Sequence, residues 1–406
     1  MTKYTLRLLI LIFSSLILIS IIGCEADNPA SVYDPVDKGF PTPSITSIMP
    51  ADSILAGLGE ITIVGKNFSP RPEENLVFFN KDQIDVIAAT ETELKLKSPN
   101  KPADKVIVKI SRQGAYHYSN EVTYKLLRVF WEWGDFDDYD DPYGLTMDKD
   151  ENLYVSLVGK EVVKVPAEGG EAQLYSNTLV DKTSNMRMGP DGFIYYVNIL
   201  KYVFRIPPGG GTNELFATLP GGAFDLDFDQ NGNLYCGGNG YNLYRVNSDG
   251  TNDIVAEYPN VYIRSVRVFN DYVYVAGKYS GTDASQVQEG VWRNQILSPA
   301  GEVGPNELVF DWGSQFKEQD YRLLSINFSA DGMLYLGTDG REAIFTFDAN
   351  GKIEPLYPGV IEPESYTMCW GNSSYLYITR RNDDAAKKRV IKLNMLKDGA
   401  PYYGRN

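Results

Sequence analysis

Histidine is nearly absent from this sequence: His117 is the only one in 406 residues. That excludes histidine-rich metal sites and makes Ser-His-Asp chemistry improbable. Cysteine is scarce too, with Cys24, Cys236 and Cys369 the only three. Cys236 and Cys369 lie in apolar, strand-like runs and read as buried free thiols rather than a disulfide; a chain of this size needs no such staple. Positive charge is in deficit. Lys and Arg total 38 against 53 Asp and Glu, a net charge of −15, and nucleic-acid binding requires the opposite balance. What is abundant is Tyr, at 28, and Gly, at 37. Aromatic strands separated by glycine turns describe an all-β protein.

One long apolar run exists, at the start. Lys3 and Arg7 precede Leu8 to Ile22, and Gly23-Cys24 closes the run. A charged start, a short apolar core and a small residue before the end form a secretory signal. The run is shorter than the ~20 residues a membrane-spanning helix needs. Ile21-Ile22-Gly23-Cys24 resembles a bacterial lipobox. The resemblance implies that residues 1–23 are a signal peptide, that lipid is attached to Cys24, and that a multiply acylated cysteine anchors the chain to a membrane. The expected location is the cell envelope, with the outer membrane the expected membrane and the body facing the surface or the periplasm. Residues 24–43 read as a flexible tether, rich in Pro, acids and amides and without apolar periodicity.

Residues 44–126 carry short period-2 runs between turn clusters, including Ile61 to Val64, Leu76 to Phe79, Glu93 to Leu96 and Val106 to Ile110. Such runs predict a small β-sandwich. The stretch resembles the IPT/TIG family of immunoglobulin-like domains through Pro43 to Pro50, Gly57-Leu58-Gly59, Ile61 to Phe68, Thr90 to Pro99 and Ser119-Asn120. The resemblance implies a spacer or protein-contact module without chemistry. His117, near the last strand, is expected on the surface.

Residues 127–406 repeat. An apolar strand, a turn of Asp, Asn and Gly, and a second strand centred on Tyr recur six times, at Tyr154, Tyr195, Tyr235, Tyr274, Tyr335 and Tyr377. The spacings are 41, 40, 39, 61 and 42 by subtraction. Third and fourth strands follow each unit, and four strands per ~40 residues is a β-propeller blade. Six units predict six blades. The sixth lacks its outer strand, so residues 127–133, around Val129 to Gly134, are expected to complete it and close the ring. The predicted fold is therefore an immunoglobulin-like β-sandwich followed by a six-bladed β-propeller closed by an N-terminal strand. The repeats resemble the NHL family of six-bladed propellers, with Pro190 to Tyr195 the nearest copy. Sandwich and propeller behind a lipobox also resemble surface lipoproteins of gut-type bacteria that handle glycans.

The recurring Asp191-Gly192, Asn231-Gly232 and Asp331-Gly332 pairs have the composition of tight hairpins. The unit-four excess falls in Lys278 to Gly290 and Gly313 to Arg322, on connections that share one rim with the channel mouth. Insertions on one face often mark a binding face. Tyr279, Phe316 and Tyr321, with Tyr241 from the neighbouring blade, are the candidate rim ligands for a glycan or peptide; loop decoration is the alternative. Asp135, Asp137 and Asp138 belong to a run of five aspartates in 135–141. The run is either a solvated acidic loop or a cation site. No cofactor is firmly implied; calcium is the ion such oxygens would take.

Three functions remain open. The first is a non-catalytic lipoprotein, held to its membrane through Cys24, that displays the propeller to a glycan, peptide or envelope protein. The second is a metal-dependent lactonase or esterase, resembling gluconolactonase-type propellers, with Asn185, Asp225, Asp227 and Asn327 as inner-strand polar positions. The third is a structural envelope scaffold.

Overall fold

The computed structural model describes residues 39–404; Cys24, the signal segment and most of the tether lie outside them. None of the described helices is long and apolar enough to cross a membrane. The chain divides into two compact units, and the second contains everything from Tyr124 onward.

The N-terminal sheets follow the period-2 pattern. One is ordered Ser44–Met49, Glu60–Lys66, Glu93–Lys97, Val86–Ala89. The other runs Ser53–Leu55, Val122–Leu127, Ala103–Arg112, Asn75–Phe79, Asp82–Ile84. Alternate residues of these strands are buried, among them Ile61, Ile63, Leu94, Leu96, Val108 and Ile110. Asn120 has a defined task. Its side-chain amide donates to the Ile45 carbonyl at 3.0 Å and accepts the Ile45 amide at 2.8 Å, pinning the first strand. His117 is exposed.

The remainder forms six four-stranded antiparallel sheets in chain order. Their innermost strands are Pro142–Met147, Asn185–Met188, Asp225–Phe228, Val261–Phe269, Leu323–Phe328 and Ser365–Trp370. Each packs on the next, and the sixth packs on the first, so the six blades close a ring. Closure is as the sequence predicts. Phe130–Glu132 pairs antiparallel with Arg389–Asn394, placing Phe130 opposite Leu393 and Trp131 opposite Lys392. The last blade thus takes its outer strand from the start of the domain, which removes the open edge a split ring would expose.

The repeat has a physical basis. All six tyrosines lie on second strands and are buried. A buried phenol needs a partner for its hydroxyl. Tyr154, Tyr195 and Tyr235 donate to Asp148, Asp191 and Asp229 at 3.0, 2.7 and 3.3 Å, carboxylates of the preceding turns. The same carboxylates accept turn amides, such as those of Asn231 and Asn233 on Asp229 at 2.9 Å. Gly192, Gly232 and Gly332 supply the positive φ of 78°, 86° and 84° that these turns require. Cys236 and Cys369 are buried and not joined in a disulfide.

Candidate functional site

Blade four carries the insertion. Its second and third strands, Tyr272–Tyr279 and Glu289–Gln295, are long and are joined by residues 280–288. Asp283 turns this loop by accepting the Ser285 amide at 2.9 Å and its hydroxyl at 2.7 Å. Against the preceding connection the loop encloses a groove of about 390 Å³. Tyr279, Trp292 and Tyr258 supply aromatic wall; Asn260, Gln286 and Asn306 supply amides; no lining residue is charged. The wall is fixed from behind. The buried Tyr258 hydroxyl donates to Asn294 Oδ1 at 2.6 Å, and Asn294 donates to Asn306 Oδ1 at 2.7 Å. Concave, mostly apolar sites with a few placed polar groups are the usual form of small-ligand pockets.

The four rim candidates separate into two pairs. Tyr279 lines the groove. Tyr241 stands beside it, exposed, with its hydroxyl 3.4 Å from Ser280 Oγ, which can donate to it. Phe316 does not reach the surface. It is 9% exposed and packs on Trp312 at a centroid separation of 4.2 Å and on Phe345 at 4.8 Å. Tyr321 is half-buried on Phe316, and its backbone carbonyl accepts the Trp312 indole N–H at 2.6 Å. The second insertion therefore folds inward to cover the joint between blades four and five, because its aromatics are worth more buried than solvated.

The acidic loop is occupied by turns and ion pairs. Asp137 accepts the Tyr139 amide at 2.7 Å, and Asp138 meets Arg389 at 2.8 Å. Asp141 meets Arg381 and Lys388 at 3.2 and 3.1 Å. Asp135 is exposed, at the positive φ of 49°. Among the described residues no three His, Cys, Asp or Glu side chains are gathered so as to hold a metal; Asp135, Asp137 and Asp138 form no cradle.

At the axis the four inner-strand polar residues do converge, on partners the sequence reading did not name. Asp225 accepts Asn185 Nδ2 at 2.6 Å, Ser265 Oγ at 2.8 Å and Arg267 Nη1 at 2.7 Å. Asp227 accepts Arg187 Nε at 3.3 Å and the Val268 amide at 2.9 Å. Asn327 donates to the Met368 carbonyl at 2.9 Å. Arg187 and Arg267 are each 3% exposed. Burial pushes the Arg267 guanidinium below its ordinary value, and the field of Arg187 adds to this. For Arg187 burial works in the same direction, but the field of Asp227, with smaller contributions from other groups, outweighs it and the net shift is upward. The C-terminal segment closes the hairpin end of this channel. Tyr402 donates to the Trp370 carbonyl at 2.7 Å, and Tyr403 to that of Asp229 at 3.0 Å. A metal of the lactonase type would need these carboxylates as ligands, and guanidinium groups already hold them. The residues present do not fit such an ion.

Residues 43–126 match the IPT/TIG domain family. No curated protein matches the chain in sequence. Among solved structures it is similar to an auxiliary nutrient binding protein from Bacteroides thetaiotaomicron, at 11% identity and a TM-score of 0.53, covering 89% of this chain and 98% of that one. A putative phosphatase from the same organism gives 10% and 0.57, covering 87% and 97%. A gluconolactonase from Xanthomonas campestris gives 12% and 0.50, covering 66% and 89%. At such identities the likeness is one of fold. The class is thereby defined: an all-β protein that joins an IPT/TIG immunoglobulin-like domain to a six-bladed propeller.

Proposed function

We propose that this chain is a non-catalytic capture protein of the cell envelope, anchored through lipid on Cys24, which binds a neutral glycan in the blade-four groove. The observation that carries the reading is the groove itself: about 390 Å³, walled by Tyr279 and Trp292, edged by amides and free of charge. Flat aromatic faces suit the apolar face of a sugar ring, and amides suit its hydroxyls. The axial chemistry supports binding over hydrolysis. Asp225 and Asp227 are committed to Arg267 and Arg187, so the position where propeller hydrolases would work offers no free carboxylate. The binding role named for the Bacteroides thetaiotaomicron structure is of the same kind.

The test is a titration of the protein with a panel of neutral oligosaccharides, followed by heat release and by Trp fluorescence. One member of the panel is expected to bind, with affinity falling about tenfold or more in Tyr279→Ala, the cost typical of losing a central aromatic anchor. Equal affinity in the variant, or turnover of the bound sugar, would reject the reading. The anchoring half is tested separately: Cys24→Ser is expected to move the protein from the membrane fraction to the soluble fraction.

A further inference from the structure

At the end of the axis away from the C-terminal segment, four aromatic rings meet. Tyr143 stands on blade one and Tyr366 on blade six, 5.5 Å apart between centroids and edge to face. Phe224, at the entry to blade three, lies 6.1 Å from Tyr366 and 5.8 Å from Tyr262 of blade four. Blades three and six oppose each other in a ring of six, so the Phe224–Tyr366 contact bridges the channel and forms a floor. Tyr143 is buried beneath it, and the other three are partly exposed.

Charge around this floor is uneven. On one side Arg264 is matched by Glu289 at 3.1 Å, and Arg322 by Asp339. On the other, Arg381 lies 3.8 Å from the Tyr143 ring and 5.3 Å from Tyr366, and it shares the Asp141 carboxylate with Lys388. Lys182 has its ammonium 4.0 Å from the Tyr143 ring and donates to the Tyr143 hydroxyl at 2.5 Å. Among the described residues it has no carboxylate within 4.0 Å. An ammonium set against the Tyr143 ring, without an ion-pair partner among the described residues, stands out in a chain of net charge −15. The wall beside it is aliphatic: Leu179, Ile199 and Leu200 are 55, 46 and 47% exposed. That wall is tied to the floor, since the Leu200 carbonyl accepts the Ala223 amide at 3.1 Å, one residue before Phe224.

We infer that this mouth is a second binding site, distinct from the blade-four groove, and that it takes an acidic sugar residue of the uronate kind. The aromatic floor receives the flat apolar face of the ring. Lys182, with Arg381, receives the carboxylate, a charge-assisted pairing stronger than a neutral hydrogen bond. A bare phosphate would use the cation and leave the floor and wall unmatched.

The intact protein is titrated with a trisaccharide of galacturonate, with the galactose trisaccharide, and with inorganic phosphate, each at low and high salt. The expected result is that the acidic trisaccharide binds at least about tenfold tighter than the neutral one, and that the preference shrinks with salt. Lys182→Met is expected to abolish the preference, while Lys182→Arg, which keeps the charge, retains it. Three outcomes would overturn the inference: no preference for the acidic sugar, a preference that survives in Lys182→Met, or phosphate competing as well as the acidic trisaccharide. Should Lys182→Met fail to fold, loss of the preference in wild type at high salt, set against its retention in Lys182→Arg at low salt, decides the same point.

Discussion

Tyr235 is fully buried, yet its hydroxyl has two acceptors, Asp229 at 3.3 Å and the Gly301 carbonyl at 3.0 Å. The tyrosine period that reveals the blades in the sequence is thus a packing device joined to a turn. Removing only the hydroxyl leaves the buried Gly301 carbonyl short of a donor, while Asp229 keeps those of Asn231 and Asn233. Tyr235→Phe is expected to cost about 1–2 kcal/mol, read as a lowered denaturant midpoint. Cys236 belongs to the same strand, and burial pushes its thiol well above the ordinary range. It is expected to stay unmodified by a thiol reagent in the folded protein and to react on unfolding, as peptide mass spectrometry would show. Residue by residue, the sequence is legible where one side chain repeats one task. It was not legible at Arg187 and Arg267, although a signal existed. Both occupy the position after the apolar residue of the inner strand, where Asp227 and Asn327 also sit. Aligning that position across the repeats places all four on the axis. Phe316 turns inward for a related reason: the length of an insertion says nothing about whether its aromatics turn in or out.

At the scale of the element, the inner strands have an unusual need. One edge of each faces the channel, and its backbone groups have no strand to pair with, so they must be satisfied another way. Neighbouring blades supply the partners through side chains. Thr146 accepts the Met188 amide at 3.0 Å, Asp225 the Val266 amide at 2.8 Å, and Ser265 the Ile326 amide at 3.2 Å. Asn327 donates to the Met368 carbonyl, and Thr367 to that of Tyr143 at 3.1 Å. Of these, Asp225 and Asn327 are inner-strand polar positions that the sequence offers to a lactonase-type site; in the structure they join the blades. Asp225→Ala would strip Arg267 of its only ion pair within this buried network, and is expected to cost about 3–5 kcal/mol in unfolding free energy. Glu289, at the start of the third strand of blade four, holds the Leu323 amide at 2.8 Å and pairs with Arg264. Burial raises its carboxyl above the ordinary 4.5, against the opposing pull of Arg264. The unfolded chain therefore releases this proton first. Through this group, stability falls as pH rises past 4.5 and levels off above the raised value. Glu289→Gln is expected to flatten that part of the stability–pH curve, measured against wild type by urea unfolding.

For the whole molecule, the ring closes where the sequence says it must, because a blade with three strands and an orphan strand at the domain's start fit each other. Cutting the chain before Trp133 would take away Phe130–Glu132 and bare the edge of Arg389–Asn394. Such a truncation is expected to lower the melting temperature and promote aggregation. The candidate site is less legible in the sequence than the fold. Repeats fix backbone geometry, whereas the groove arises from residues 280–288, the loop that departs from the repeat, and from Trp292, a strand residue with no motif around it. Tyr279 was legible because it borders that departure. The most direct test of the account is the affinity of the intact protein and its Tyr279→Ala variant for the neutral oligosaccharide the panel selects, with unchanged thermal melting as the control. The account requires that binding fall about tenfold or more in the variant without turnover in either protein. Undiminished affinity, or sugar cleavage by the wild type, would contradict it.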